Sequence, residues 1–172
     1  RNEKKSYFDH SYIRKCCPRR FDKFEFVPSV GASGGLIIIW CSSQFSGQAV
    51  HKLSFALTIR LMSVQTNDTW LLSNIYGPCD GPERELFTQW MEGLNVEVND
   101  LWLFMGDFNF MRCLENINLP GGNVDDIIKF NEIISELALL EIPIKGRKYT
   151  WSNMQETPFL EQLDWFFSSP EW

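Results

Sequence analysis

The chain has 172 residues, 44% of them hydrophobic, and a net charge of −6. That is enough for one domain with a single good core, and no apolar run approaches the length of a membrane-spanning helix. The acidic balance argues against tight nonspecific DNA binding through many phosphates, but not against a metal-dependent site, which concentrates carboxylates.

The start, Arg1-Asn2-Glu3-Lys4-Lys5, is charged, lacks an initiator Met and is followed by no apolar segment. It reads as the beginning of a fragment without a signal peptide. Asp9 to Cys17 reads as a short helix, with Tyr12, Ile13 and Cys16 on one side and Pro18 as its stop. Phe24, Phe26 and Val30 alternate with polar residues as in a strand. Ser33-Gly34-Gly35 turns the backbone into Leu36-Ile37-Ile38-Ile39-Trp40, a buried strand. Those glycines could cradle a phosphate, but with no P-loop Lys-Ser/Thr following, the turn into the strand is the favoured reading.

Leu53, Phe55, Leu57, Ile59 and Leu61 alternate strictly, which predicts one half-buried strand. Val64 to Asn67 is a turn, and Trp70 to Tyr76 the next strand, paired antiparallel with it. Tyr76 stands at the strand exit, before the breaker pair Gly77-Pro78. Its phenol could donate to a phosphate, or it could be an aromatic lid with a wet hydroxyl. Pro82-Glu83-Arg84-Glu85 opens a helix whose predicted stripe is Leu86, Trp90 and Leu94.

Leu101 to Met105 is a buried strand leading into Gly106-Asp107-Phe108-Asn109. Asp107 and Asn109 stand two apart, so extended backbone puts both on one face. An anionic oxygen ligand beside a neutral amide suits a place where a divalent metal meets a phosphate. The same residues also form ordinary Asx turns, and the stretch alone leaves both readings open.

A loop from Arg112 to Asn123 leads to a second helix at Asp125-Asp126, with Ile127, Phe130, Ile134 and Leu137 on its buried face and its acids explained by capping. Gly146 to Asn153 is a polar-aromatic strand end, and Gln162 to Phe167 a last strand. Five cysteines, an odd number with no Cys-x-x-Cys pair, argue against a disulfide framework or zinc site and for a reducing compartment. Two basic clusters, Arg14/Lys15/Arg19/Arg20/Lys23 and Lys145/Arg147/Lys148, are phosphate contacts or solvated faces. The mixture of hairpins and helical crossovers predicts an α/β layered domain.

Read in order, Asn2-Glu3-Lys4, Gly34-Gly35-Leu36 to Trp40, Tyr76-Gly77-Pro78, Gly106-Asp107-Phe108-Asn109, Tyr149 to Asn153 and Leu163-Asp164-Trp165 resemble the endonuclease/exonuclease/phosphatase superfamily. They look most like the endonuclease domain of plant LINE-type (non-LTR) retrotransposons, over essentially the whole chain. The resemblance implies a DNase I-like fold: α/β, a four-layer sandwich of two mixed β-sheets flanked by helices. One such domain would span residues 1–172, incomplete at both ends. It implies metal-dependent phosphodiester hydrolysis with Mg²⁺ or Mn²⁺, and nicking of target DNA to leave a primer for reverse transcription. DNA would be the substrate, a reverse transcriptase domain part of the parent polypeptide, the nucleus the compartment, and no membrane a partner.

Carried over residue by residue, Glu3 matches the metal-binding Glu and Tyr76 a phosphate hydrogen-bonder. Asp107 matches the residue that orients or deprotonates water, and Asn109 the phosphate-holding amide. Ser152 and Asn153 match a loop beside the phosphate or DNA. Asp164 matches the Asp that orients a catalytic His. The family's N-terminal Trp-Asn-x-Arg-Gly strand and C-terminal Ser-Asp-His are not in this sequence, and His10 and His51 fit neither. The expectation is therefore impaired activity. The alternatives are an inactive relic or binding module, and a phosphatase of small phosphoesters.

Overall fold

A computed structural model describes residues 10–29, 34–97 and 99–172, with the His10 side chain left out. Glu3, Val30 and Ser33 lie outside the described residues. The chain forms two compact units, residues 1–76 and 77–172.

In the first unit, helix α1 (His10–Cys16) precedes β1 (Lys23–Val27) and β2 (Leu36–Trp40). These strands pair antiparallel, Lys23 opposite Trp40 and Val27 opposite Leu36. Three further strands follow: β3 (Phe45–Leu53), β4 (Ala56–Ser63) and β5 (Thr69–Tyr76). They form an antiparallel meander. Period-2 alternation sends Leu36, Ile38 and Trp40 into a core with Leu57, Ile59 and Leu61. Val27, Phe45, Trp70 and Tyr76 close over its edges.

The alternating run Leu53 to Leu61 is not one strand. Leu53 pairs with Ala56, so Ser54-Phe55 is the turn of the β3–β4 hairpin. A two-residue turn preserves the even count, so alternation passes through it unmarked, and no Gly, Asn or Pro signals it. Nor is β4 half-buried: Ala56, Leu57, Thr58 and Ile59 are all 0% exposed.

Gly47 on β3 makes room for the Trp40 indole. A Cβ there would lie 2.5 Å from the ring. Gly47→Ala is therefore expected to overpack this core and cost about 1–3 kcal/mol, read from urea unfolding.

The second unit contains α2 (Pro82–Glu92), β6 (Trp102–Asp107), a 3₁₀ turn (Leu114–Asn116) and α3 (Val124–Glu136). Then come β7 (Leu140–Glu141), β8 (Trp151–Ser152), β9 (Leu160–Glu161) and β10 (Asp164–Ser168). Strand β10 lies between β6 and β7, antiparallel to both. Strands β8 and β9 form a separate hairpin.

The core of this unit is aromatic. Phe108 packs edge-on against Phe87 and Phe167 and tilts against Phe130, while Phe110 stacks on Phe87 and Phe130. This decides the face of α2: Phe87, Thr88 and Met91 are buried, and Leu86, predicted inside, is 56% exposed. Both rows of α2 are apolar at i, i+4 spacing, so periodicity alone does not choose between them. Helix α3 buries Phe130, Ile133 and Ile134, and its N-cap is Asn123, whose side chain accepts from the N–H groups of Asp125 and Asp126.

Candidate functional site

The site is built by the alternation at the end of β6. Phe108 and Phe110 are almost fully buried. Burying each phenyl ring contributes roughly 1.5–3 kcal/mol. Asp107 and Asn109, the intervening residues, are half-buried. The Phe108 N–H donates to Leu163 O at 2.9 Å, and the Trp165 indole N–H donates to Phe110 O at 2.8 Å. Both ends of the turn are thereby pinned to β10 and the residue just before it.

Asn109 takes φ +54°. Asn tolerates this left-handed conformation better than most residues, yet it still has to be held there. Its N–H donates to Asp107 Oδ1 at 2.9 Å, and its Nδ2 donates to Gly77 O at 2.5 Å. The Gly77 N–H donates to Asp107 O at 2.7 Å. The Asx turn and the convergence of the Gly77-Pro78 and Asp107–Asn109 segments are thus one arrangement. The turn-forming and site readings of Asp107 and Asn109 do not compete.

Asp164, the first residue of β10, is the direct cross-strand partner of Asp107. Facing residues on an antiparallel pair share a side of the sheet. Burial pushes the Asp107 carboxyl above its ordinary value, helped by the charges of Asp164 and Glu161 and opposed by the Asn109 N–H. Burial also raises Glu161. Cys79 is raised by burial and then by the Asp107 and Asp80 charges. Like charges crowded this way hold a proton or a cation well.

The donor chemistry fits a hard divalent cation. Asp107 and Asp164 are paired across the two strands, so both carboxylates belong to one side of this strand end. Magnesium is commonly held by one or two carboxylates together with water and substrate phosphates. Among the described residues no cluster of three His, Cys, Asp or Glu makes a closed metal site.

Beside this edge lies a cleft of about 330 Å³, lined among others by Cys79, Arg84, Asn109, Asp126, Trp151 and Glu161. Cys79, Arg84, Asp126 and Glu161 were not singled out from the sequence as site residues. Glu161 belongs to β9, a two-residue strand without a detectable period. Arg84 sits in the first turn of α2, where the helix dipole disfavours a cation. That misplaced charge was the available signal. Asp126 does more than face the start of α3: it forms an ion pair with Arg84 at 2.8 Å.

The remaining predicted residues fall in three places. Ser152 lies on β8, and its Oγ accepts from the Met154 N–H at 3.1 Å. Asn153 Oδ1 accepts from the Phe159 and Gln155 N–H groups at 3.0 and 3.3 Å, closing the β8–β9 loop. Tyr76 ends β5 in the first unit, its N–H donating to Phe55 O at 3.0 Å. Glu3 lies outside the described residues. The second unit therefore brings together Asp107, Asn109 and Asp164, with the Ser152–Asn153 hairpin contributing Trp151 and Glu161 to the cleft.

No protein-family model matches the chain, and no curated protein does. Solved structures do. The endonuclease domain of TRAS1, a telomere-specific non-LTR retrotransposon, is similar with a TM-score of 0.66 at 12% identity, over 93% of this chain and 70% of that one. Beta toxin from Staphylococcus aureus gives 0.59 at 10% identity, over 94% of this chain and 66% of that one. D. rerio TDP2, solved with a single-stranded DNA product, gives 0.51 at 12%, over 92% and 65%. The chain thus spans about two thirds of the length of these structures. At such identities the likeness establishes architecture alone: the chain has an α/β, DNase I-like fold.

Proposed function

We propose that this chain carries a phosphodiester hydrolase site of the metal-dependent nuclease type, acting on DNA and descended from a retrotransposon nicking enzyme. The observation that carries the reading is the facing pair Asp107–Asp164 with Asn109 held in a left-handed turn beside it. The similarity to the TRAS1 endonuclease domain and to TDP2 supports DNA as the substrate class. The plant LINE lineage rests on the sequence motifs.

In this reading Asp107 takes the proton from the attacking water. A carboxylate whose proton affinity is raised by burial is a better base near neutral pH than an exposed one. Asn109 has a second amide hydrogen beyond the one given to Gly77, and it supports the phosphate oxygen on which charge develops. Asp164 faces Asp107 across the strand pair and supplies a second carboxylate there. Mg²⁺ or Mn²⁺, which the Asp107–Asp164 edge would help hold, would supply Lewis-acid polarisation of the phosphate and neutralise the leaving oxygen. Tyr76 and Glu3 enter on the family resemblance alone.

Residues 77–172 contain no histidine. Within these residues the reacting groups on offer are carboxylates and amides. Losing one charge-stabilising group commonly costs roughly 10²–10³-fold. The test is nicking of supercoiled plasmid over hours with Mg²⁺, by the parent chain and by Asp107→Ala, both shown to be folded by circular dichroism. Relaxation by the parent and its absence in the variant and in EDTA is the expected result. A folded parent that leaves the plasmid supercoiled would refute the reading.

A further inference from the structure

The guanidinium of Arg84 lines the cleft with most of its N–H groups already committed to protein acceptors. Its Nη1 donates to Asn109 O at 2.8 Å and to Pro78 O at 2.9 Å. Its Nε and Nη2 both donate to Asp126 Oδ2, at 3.1 and 2.8 Å. Its plane lies over the Phe110 ring, 3.6 Å from Cζ to the centroid. One side chain therefore ties the loop after Gly77, the left-handed residue of the site and the first turn of α3. A fork with fixed donor directions and a stacking face can do this, while an ammonium point charge cannot.

We infer that Arg84 is the positioning residue of the site: through the Asn109 carbonyl and the Asp126 ion pair it holds Asn109 in its left-handed conformation, with its amide aimed from the Asp107 edge. Three observations point the same way. Asn109 needs restraint at φ +54°, and its N–H and side chain account for two of the bonds that supply it. The third comes from Arg84. The cation sits in the first turn of a helix, where its charge is disfavoured unless a nearby anion and acceptors offset it, and Asp126 and the two carbonyls do so. Phe110 is buried in the aromatic core, so the stack fixes the guanidinium relative to the same segment that carries Asn109.

The catalytic half of this inference rests on the hydrolytic reading above; the structural half does not. The experiment keeps them apart by measuring amide hydrogen exchange and steady-state kinetics on parent, Arg84→Lys and Asp126→Asn chains. In Arg84→Lys, exchange at the Gly77 and Asn109 N–H groups is expected to speed up by about tenfold or more, while Phe104 and Phe167 on β6 and β10 keep their protection. The kcat should fall roughly 10–100-fold at nearly unchanged KM, because binding survives and alignment does not.

Unchanged exchange at Gly77 and Asn109 would overturn the inference. So would uniform loss of protection through β6 and β10, the mark of a residue that only stabilises the core. If Arg84→Lys fails to fold, Asp126→Asn decides on the same two amides: localised acceleration supports the strut and none refutes it. If the parent is folded but inert, the hydrolytic reading falls, and the exchange data alone judge whether Arg84 holds the turn.

Discussion

Asp107→Asn is expected to abolish detectable hydrolysis and at the same time to raise the melting temperature. The two effects share one cause. Asn keeps the shape and an oxygen to accept the Asn109 N–H, so the turn survives, but it carries no charge and accepts no proton. Loss of a general base costs roughly 10²–10⁴ in rate. On stability the sign is opposite. Burial, with Asp164 and Glu161 nearby, raises the folded pKa of Asp107 above its ordinary 3.8.

A group raised on folding contributes stability that is present below its unfolded value and lost as pH rises through the folded one. Near pH 7 the ionised Asp107 is therefore a cost that the variant removes. The gain in Tm should be largest at neutral pH and shrink as pH is lowered toward 3.8, where the parent carboxyl is itself protonated. Calorimetry across that range checks it. Divalent cation should narrow the neutral-pH gap from the other side, by raising the parent's Tm more than the variant's. A variant less stable than the parent at pH 7 would mean that Asp107 is held by attraction rather than strained by repulsion.

Gly77→Ala is expected to be the most damaging small substitution in the second unit. A Cβ at Gly77 would lie 2.2 Å from Phe108 O and 2.7 Å from Phe108 C. Both are backbone atoms, so no rotamer change relieves the clash. Phe108 cannot retreat, because its ring is fully buried among Phe87, Phe130 and Phe167. The cost should be about 3 kcal/mol or more, a fall in Tm of roughly 6–12 °C. The displaced segments are those joined by the Gly77–Asp107 and Asn109–Gly77 hydrogen bonds. Activity should therefore fall even at temperatures where the variant is folded. Thermal unfolding with plasmid nicking well below the transition separates the two effects, and a variant with parental Tm would show that the two segments are not packed this closely.

Gly77 also shows where the sequence is informative and where it is not. Its place before proline marks it as a breaker, but the contact that excludes any side chain is made with Phe108, thirty-one positions later, and no local pattern contains it. The strands Leu36–Trp40, Thr69–Tyr76 and Trp102–Asp107 were legible because apolar runs bounded by turn residues permit little else. The hairpin turn at Ser54-Phe55 was illegible because it keeps the parity of the alternation. Strands β7, β8 and β9 are two residues each, too short to show a period. β7 forms along the edge of β10, while β8 and β9 pair with each other.

In the site the same division holds. Asp107, Asn109 and Asp164 were picked out by short motifs at strand ends, and the fold brings these three together. Arg84, Asp126 and Glu161 were not, since their roles exist only once α2, α3 and the β8–β9 hairpin converge. Arg84 came nearest to being readable, as a cation placed against a helix dipole.

The measurement that bears most directly on the whole account is end-chemistry of nicked DNA. Supercoiled plasmid is incubated with the folded chain and Mg²⁺ or Mn²⁺, then offered to a DNA polymerase with labelled nucleotides. The account predicts nicks that are extended, and so carry a free 3′-hydroxyl, with none formed by Asp107→Asn or in EDTA. Plasmid left intact by the folded parent with either metal, or nicks formed equally by Asp107→Asn, would contradict it.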